Sequence, residues 1–257
     1  MTEKRAVIYS LYINEDCLFD SIHYRQLIYS IKTLRSFSDI PVKIYVNDIS
    51  LLNKSSRKTI KDFYHNIEFV NFDSSEYNVK PNNTIYPWQR CDQVIHKWPN
   101  ACKAFKQFDL DKILYLDADT IFYKSIDDIF DLYQNGLCIR KEWEGFNDGV
   151  FILDKNTASY IDSFYLEKYA FFRESFIEKH SKNFNIDKIS WIAYQHASSD
   201  LFKSMNIDIQ YLDRFHVRKL DDEENEYWNE DEFNDGNLFL IHYFSHNFRR
   251  CVPSSHW

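Results

Sequence analysis

The stretch "DKILYLDADTIFYKSIDDIF", Asp111 to Phe130, decides how the rest of the chain reads, because it sets two carboxylates one residue apart behind an apolar run. Ile113, Leu114, Tyr115 and Leu116 follow one another without polar interruption, the pattern of a central strand covered on both faces. Asp117 and Asp119 then stand beyond the strand's carboxyl end, where open α/β sheets bind ligands. Side chains two apart in extended chain point the same way, which would bring both carboxylates to one point. Like charges held that close in a low-dielectric crevice repel, and a shared divalent cation offsets the repulsion. Mg²⁺ or Mn²⁺ suits such an oxygen site, commonly between one or two carboxylates and the phosphates of a substrate.

Working outward, "RAVIYSLY" (Arg5 to Tyr12) reads as a strand and "SIHYRQLIYSIKTLRSF" (Ser21 to Phe37) as a helix, with Ile22, Leu27, Ile31 and Leu34 at helical intervals. "VKIYVND" (Val42 to Asp48) and "IEFVNFD" (Ile67 to Asp73) read as two further strands, separated by the short amphipathic helix "KSSRKTIKDFYH". This alternation implies an α/β fold with a central, mostly parallel sheet flanked by helices. The polar, proline-containing segment Ser74 to Arg90 reads as an irregular loop near the site, and "HKWPNACKAFKQF" (His96 to Phe108) as the helix that feeds the acidic strand. After it come a hairpin-like strand "GVFILD" (Gly149 to Asp154), one long helix from Ala158 to Phe184, and a last strand "LFLIHYFSH" (Leu238 to His246). No internal repeat or linker rich in Gly, Ser or Pro divides the 257 residues, so a single domain is expected.

Composition removes several function classes. A formal charge of -8 lacks the clustered Lys and Arg of a nucleic-acid footprint. Only four glycines occur, too few and too scattered for a G-x-G-x-x-G fingerprint or a Walker A loop, so any nucleotide is held by other means. Five cysteines, odd in number and without C-x-x-C, suggest packed thiols and neither a disulfide framework nor a thiolate zinc site. No stretch reaches the roughly 20 apolar residues that span a bilayer, and the first residues lack a signal peptide's apolar core, so a cytoplasmic protein is expected. Aromatic residues at 18% fit either a groove with stacking surfaces or an aromatic core.

Three blocks together resemble nucleotide-sugar glycosyltransferases of the GT-A fold, most closely the family 8 group that includes glycogenin and the bacterial lipopolysaccharide galactosyltransferases. They are the Asp-x-Asp stretch above, "FNDGVFILD" (Phe146 to Asp154) and "LIHYFSH" (Leu240 to His246), similar to that family's H-F-x-G segment. The resemblance implies a hexosyltransferase that moves sugar from a UDP-sugar to a glycan or other hydroxyl acceptor, with retention of configuration. It further implies a nucleotide-binding half in residues 1–120 and an acceptor-binding half in 121–257. Asp117, Asp119 and His242 would coordinate Mn²⁺ or Mg²⁺, with Ala118 near the ribose and Ser10, Leu11 and Tyr12 receiving the uracil. The family's basic residue before the Asp-x-Asp strand corresponds to Lys97 or Lys103, between which spacing does not choose. Asn147 and Asp148 would lie against the sugar or acceptor, unless they only form the turn before the strand.

The chain also departs from the family pattern. Ser245 stands where the H-F-x-G segment ends in glycine, and no K-P-W follows, leaving Arg249 or Arg250 to neutralise the departing diphosphate. No Asp-Gln pair follows the long helix, and Gln195 in "SWIAYQHA" is the substitute. Two rival readings come from the same residues. "DADT" fits the nucleophile motif of haloacid dehalogenase-type phosphatases, and the missing segments fit a catalytically silent sugar-binding module. The acidic run Asp221 to Asp235 reads as a solvated loop.

Overall fold

The computed structural model describes residues 3–11, 22–52, 60–61, 64–73, 75, 95–134, 136–142, 145–180, 186–213, 216–220 and 238–243. Four strands, β1 (Arg5–Leu11), β2 (Val42–Val46), β3 (Ile67–Asn71) and β4 (Lys112–Leu116), lie parallel in the order β3-β2-β1-β4. The sheet continues through β7 (Gly145–Asp154), antiparallel to β4, then β6 (Leu137–Glu142) and the short β8 (Ile209–Tyr211). A second, three-stranded sheet joins β5 (Thr120–Phe122), β10 (Leu240–Tyr243) and β9 (Val217–Leu220). The helices are α1 (Ile22–Arg35), α2 (Lys97–Phe108), α3 (Asp127–Leu132), α4 (Lys155–Asp162), α5 (Tyr165–His180) and α6 (Ile186–Ser204).

Both faces of the main sheet are covered, as the uninterrupted apolar strands require. On one face Ala6, Ile8, Ile113, Tyr115 and Phe151 pack against Trp98, Ala101, Cys102 and Phe105 of α2, a stripe at helical spacing. Val7, Tyr9, Leu114, Leu116 and Ile152 meet Leu27, Ile31 and Leu34 of α1 on the other. The first face is an aromatic stack: Trp98 lies flat on Phe151 at 4.2 Å, Phe151 on Tyr115 at 4.6 Å, and Phe202 of α6 meets Trp98 edge-on at 4.7 Å. Much of the aromatic content thus fills the core, and Trp98 is unavailable for stacking on a sugar. Cys102 and Cys138 are buried thiols, the latter donating to Gln210 Oε1 at 3.4 Å, and burial raises the pKa of Cys138 to about 12.

Several expected boundaries move. The long helix expected from Ala158 is two helices: Ser163 and Phe164 donate to carbonyls three residues back, which tightens and ends α4, and the buried Phe164 ring turns the chain into α5. The structure adds α3, β6, α6, β8 and β9 to the elements expected from the sequence. The helix expected across 54–65 and the loop at 74–90 fall almost entirely outside the described residues.

A buried chain of hydroxyls ties the face under α1 to the acidic turn. Tyr9 Oη reaches Ser30 Oγ at 2.7 Å, Ser30 Oγ reaches Thr120 Oγ1 at 2.8 Å, and Thr120 donates to the Asp117 carbonyl at 3.1 Å. The last donation fixes the direction of the others, so Ser30 donates to Thr120 and Tyr9 to Ser30. All three side chains are inaccessible to water. Replacing Ser30 with Ala leaves two buried hydroxyls short of a partner, and is expected to lower stability by about 1–3 kcal/mol in urea unfolding. An unchanged midpoint would show that the chain contributes nothing.

Candidate functional site

The order β3-β2-β1-β4 reverses direction between β1 and β4, and such a switch point opens a crevice beyond the strands' carboxyl ends. Ser10 and Leu11 end β1 there, and Asp117 follows β4. The Asp-x-Asp segment is a tight turn and not extended chain, because Leu116 belongs to the main sheet while Thr120 already pairs with His242 in the small one. The two carboxylates therefore converge through the turn, not through strand alternation. Both main-chain groups of Asp117 are held: its N–H donates to the Gly149 carbonyl at 2.7 Å, and its carbonyl accepts from Thr120.

His242 arrives from β10, directly opposite Thr120 in the antiparallel pair with β5. Its Nε2 lies 3.2 Å from Asp119 Oδ1 and 3.8 Å from Asp117 Oδ2. One ligand atom from each of Asp117, Asp119 and His242 can be chosen so that all lie within 4.8 Å of one another. Adjacent ligands around an octahedral ion with bonds of about 2.1 Å stand ~3 Å apart, so this set fits a small divalent cation after minor closure. Two carboxylates and one imidazole also suit such an ion chemically.

Gly149 makes room for the imidazole. A Cβ on it would overlap His242 Cε1 and stand 2.7 Å from each ring nitrogen. The glycine sits in a bulge of β7: Ile139 pairs with Phe151 but Arg140 already pairs with Asn147, so Asp148, Gly149 and Val150 have no counterpart on β6. Asn147 Oδ1 accepts from Gly149 N–H at 2.9 Å and fixes that loop of strand. Asn147 and Asp148 thus lie inside β7, not in a turn before it. Both are almost fully buried.

Asp148 is buried beside Lys97. The Lys97 ammonium lies 2.8 Å from the Asp117 carboxylate and 3.5 Å from Asp148 Oδ1, with its side chain 10% exposed. Burial alone would push its pKa down, but the charges of Asp117 and Asp148, the hydrogen bond to Asp117 and the charge of Asp119 outweigh burial and hold it above the ordinary lysine value. The group is cationic at neutral pH. The repulsion expected between the acids is thus relieved in part by the protein itself.

Between the two lysines the geometry chooses. Lys97 faces the acids, whereas Lys103 acts on Asp73 beyond β3, whose carboxyl is held low first by hydrogen bonds from Ser75 and then by the Lys103 charge. Asn100, one turn after Lys97 on α2, donates to Ser10 Oγ at 2.8 Å and so joins the helix to the end of β1. Leu11 is buried in the core under α1, and Ala118 packs against the same cluster. Gln195 lies half-buried on α6, whose Ser199 and His196 approach Gly145 at the start of β7; among the described interactions none joins Gln195 to the acids. Tyr12, Arg249 and Arg250 lie outside the described residues, as does the acidic run 221–235. No described helix is long and apolar enough to cross a membrane.

No protein-family model matches the sequence, and neither does any curated protein. Solved structures do match in fold. Mouse xyloside xylosyltransferase 1 superposes with a TM-score of 0.57 at 14% identity, over 92% of this chain and 96% of that one. The galactosyltransferase LgtC, crystallised with donor and acceptor sugar analogues, gives 0.56 at 14% identity over 97% and 98%. The glycosyltransferase GlyE of Streptococcus pneumoniae TIGR4 gives 0.58 at 18% identity, over 98% of this chain and 57% of that one. At these identities the likeness concerns the fold: the chain has the α/β GT-A architecture, a mostly parallel sheet flanked by helices.

The contact between Gly149 and the imidazole can be tested directly. Gly149→Ala should displace the His242 ring and weaken Mn²⁺ binding, measured by calorimetry, by at least about tenfold. Binding at wild-type affinity would show that the ring is not needed there.

Proposed function

We propose that the protein is a metal-dependent glycosyltransferase of the family 8 kind, moving a hexose from a UDP-sugar to an acceptor hydroxyl with retention of configuration. The observation that carries this reading is the Asp117–Asp119–His242 cluster at the switch point of a GT-A sheet. That LgtC, a galactosyltransferase of the same fold, binds donor and acceptor sugar analogues supports it. A single domain is proposed, with residues 1–120 serving the nucleotide and 121–257 the acceptor.

In this reading Asp117, Asp119 and His242 hold Mn²⁺ or Mg²⁺, which when bound supplies Lewis-acid stabilisation of the departing diphosphate. The remaining steps belong to the chain. Lys97 brings a permanent positive charge to within one side chain of the site, oriented before substrate arrives. Ser10, held by Asn100, and the main chain of Leu11 with Tyr12 border the place for the base, while Ala118 lies near the ribose. Asn147 and Asp148 on the bulge border the sugar or the acceptor, with Gln195 beyond them on α6. Arg249 or Arg250 is proposed to meet the diphosphate.

The phosphatase alternative is not favoured. Thr120 of the "DADT" segment is fully buried, its hydroxyl spent on the Asp117 carbonyl and the chain to Tyr9, and the fold is that of glycosyltransferases. A silent module keeps the same metal site, and turnover separates it from an enzyme.

The test begins with calorimetric titration of UDP with and without Mn²⁺, followed by UDP release from a panel of nucleotide sugars. Binding that requires the metal, and turnover with one donor, is expected. Changes in groups behind a metal ligand commonly cost 10–100-fold in affinity, so Asp119→Ala should reduce metal-dependent UDP binding by more than about a hundredfold. UDP binding insensitive to chelator, or full activity in that variant, would refute the assignment; metal-dependent binding without turnover would favour the silent module.

A further inference from the structure

Lys97 occupies a place that a bound cation would contest. Its ammonium rests on the Asp117 carboxylate, whose Oδ2 also lies 3.8 Å from His242 Nε2. A divalent ion between Asp117 and His242 would sit about 2.0–2.2 Å from that same carboxylate. Two cations on one carboxylate repel each other, the more so because the lysine is largely buried. Lys97 is too buried to retreat into solvent, so it needs another anion within a short movement. Asp148 is there, 3.5 Å away and 1% exposed.

The placing of Asp148 is built, not incidental. Regular pairing of β7 with β6 would give this residue an ordinary ladder position, and the bulge takes it out of that ladder. The Asn147 side chain clamps the bulge from one side of Asp148, and Gly149, beneath the His242 ring, closes it from the other. The same three residues of strand thereby seat the imidazole and aim a carboxylate at the lysine.

We infer that Asp148 is a positioning residue that receives the Lys97 ammonium when a divalent cation takes Asp117. The inference rests on the metal reading proposed above. In the metal-free protein Lys97 neutralises Asp117 and leans toward Asp148; in the loaded protein it passes to Asp148, with no bond made or broken beyond the ion pairs. Asp148 therefore sets metal affinity only through Lys97, by offering the displaced charge a second partner.

The experiment is a double-mutant cycle on Mn²⁺ binding, followed by the paramagnetic resonance signal of free Mn²⁺, with wild type, Asp148→Asn, Lys97→Met and the double variant. Thermal unfolding without metal establishes that each is folded. Asp148→Asn should bind Mn²⁺ about tenfold more weakly, an interaction of ~1.4 kcal/mol, because the ammonium stays on Asp117 as a competitor. Adding Lys97→Met should restore affinity to the wild-type level or above. If Asp148→Asn does not fold, Lys97→Met and the double variant still decide: equal affinities sustain the inference, and a tenfold weaker double variant overturns it. Additive effects, as for a carboxylate that merely attracts the metal, overturn it too. A wild type that binds no Mn²⁺ is a different result, which removes the metal reading itself.

Discussion

One buried ammonium group allows three carboxylates to share a corner of this fold. Lys97 ion-pairs with Asp117 and Asp148 and feels the charge of Asp119, and it does so from a helix whose other face is embedded in the aromatic core. That coupling ties the site to the core. Trp98, the next residue, is fully buried against Phe151, and Phe151 lies two residues beyond Gly149 on the same strand. The stack that stabilises the sheet also fixes how far the ammonium stands from the acids. Core and site share the same few residues of α2 and β7.

The parallel half of the sheet was legible because its strands are short apolar runs and α1 and α2 carry a clean apolar period. Arg5 to Leu11, Val42 to Val46 and Ile67 to Asn71 all form within two residues of where the pattern puts them. The second half was harder to read for an equally physical reason. β8 is only three residues long, with two of its side chains exposed, and α6 has little amphipathic contrast, so neither leaves a periodic signal. The strand Leu240–Tyr243 was visible as an apolar run, but its membership of a separate small sheet depends on pairing with β5 and β9, which no local pattern records.

At the site, residue types were readable and relations were not. Two acids after a buried strand announced themselves, and the resemblance pointed to His242. That the acids occupy a turn, that Lys97 and not Lys103 faces them, and that Asp148 lies in a bulge all depend on side-chain direction across elements far apart in sequence. The scarcity of glycine carried more than an excluded nucleotide motif. With only four available, the chain places Asn66, Asp109 and Asn206 in the left-handed backbone region at turns, residue types that tolerate it through their short polar side chains. One of the four is kept for Gly149, where no side chain would fit under the imidazole.

The small sheet has a consequence for the timing of assembly. Asp119 and His242 are separated by 123 residues (242 − 119), so at about 5–20 residues per second a ribosome needs ~6–25 s to deliver the imidazole after the acids. During that interval β1 to β4 and α2 are already synthesised, and the lysine is present to neutralise the acids. A nascent chain thus carries a counter-charge for its acids long before the imidazole can join them.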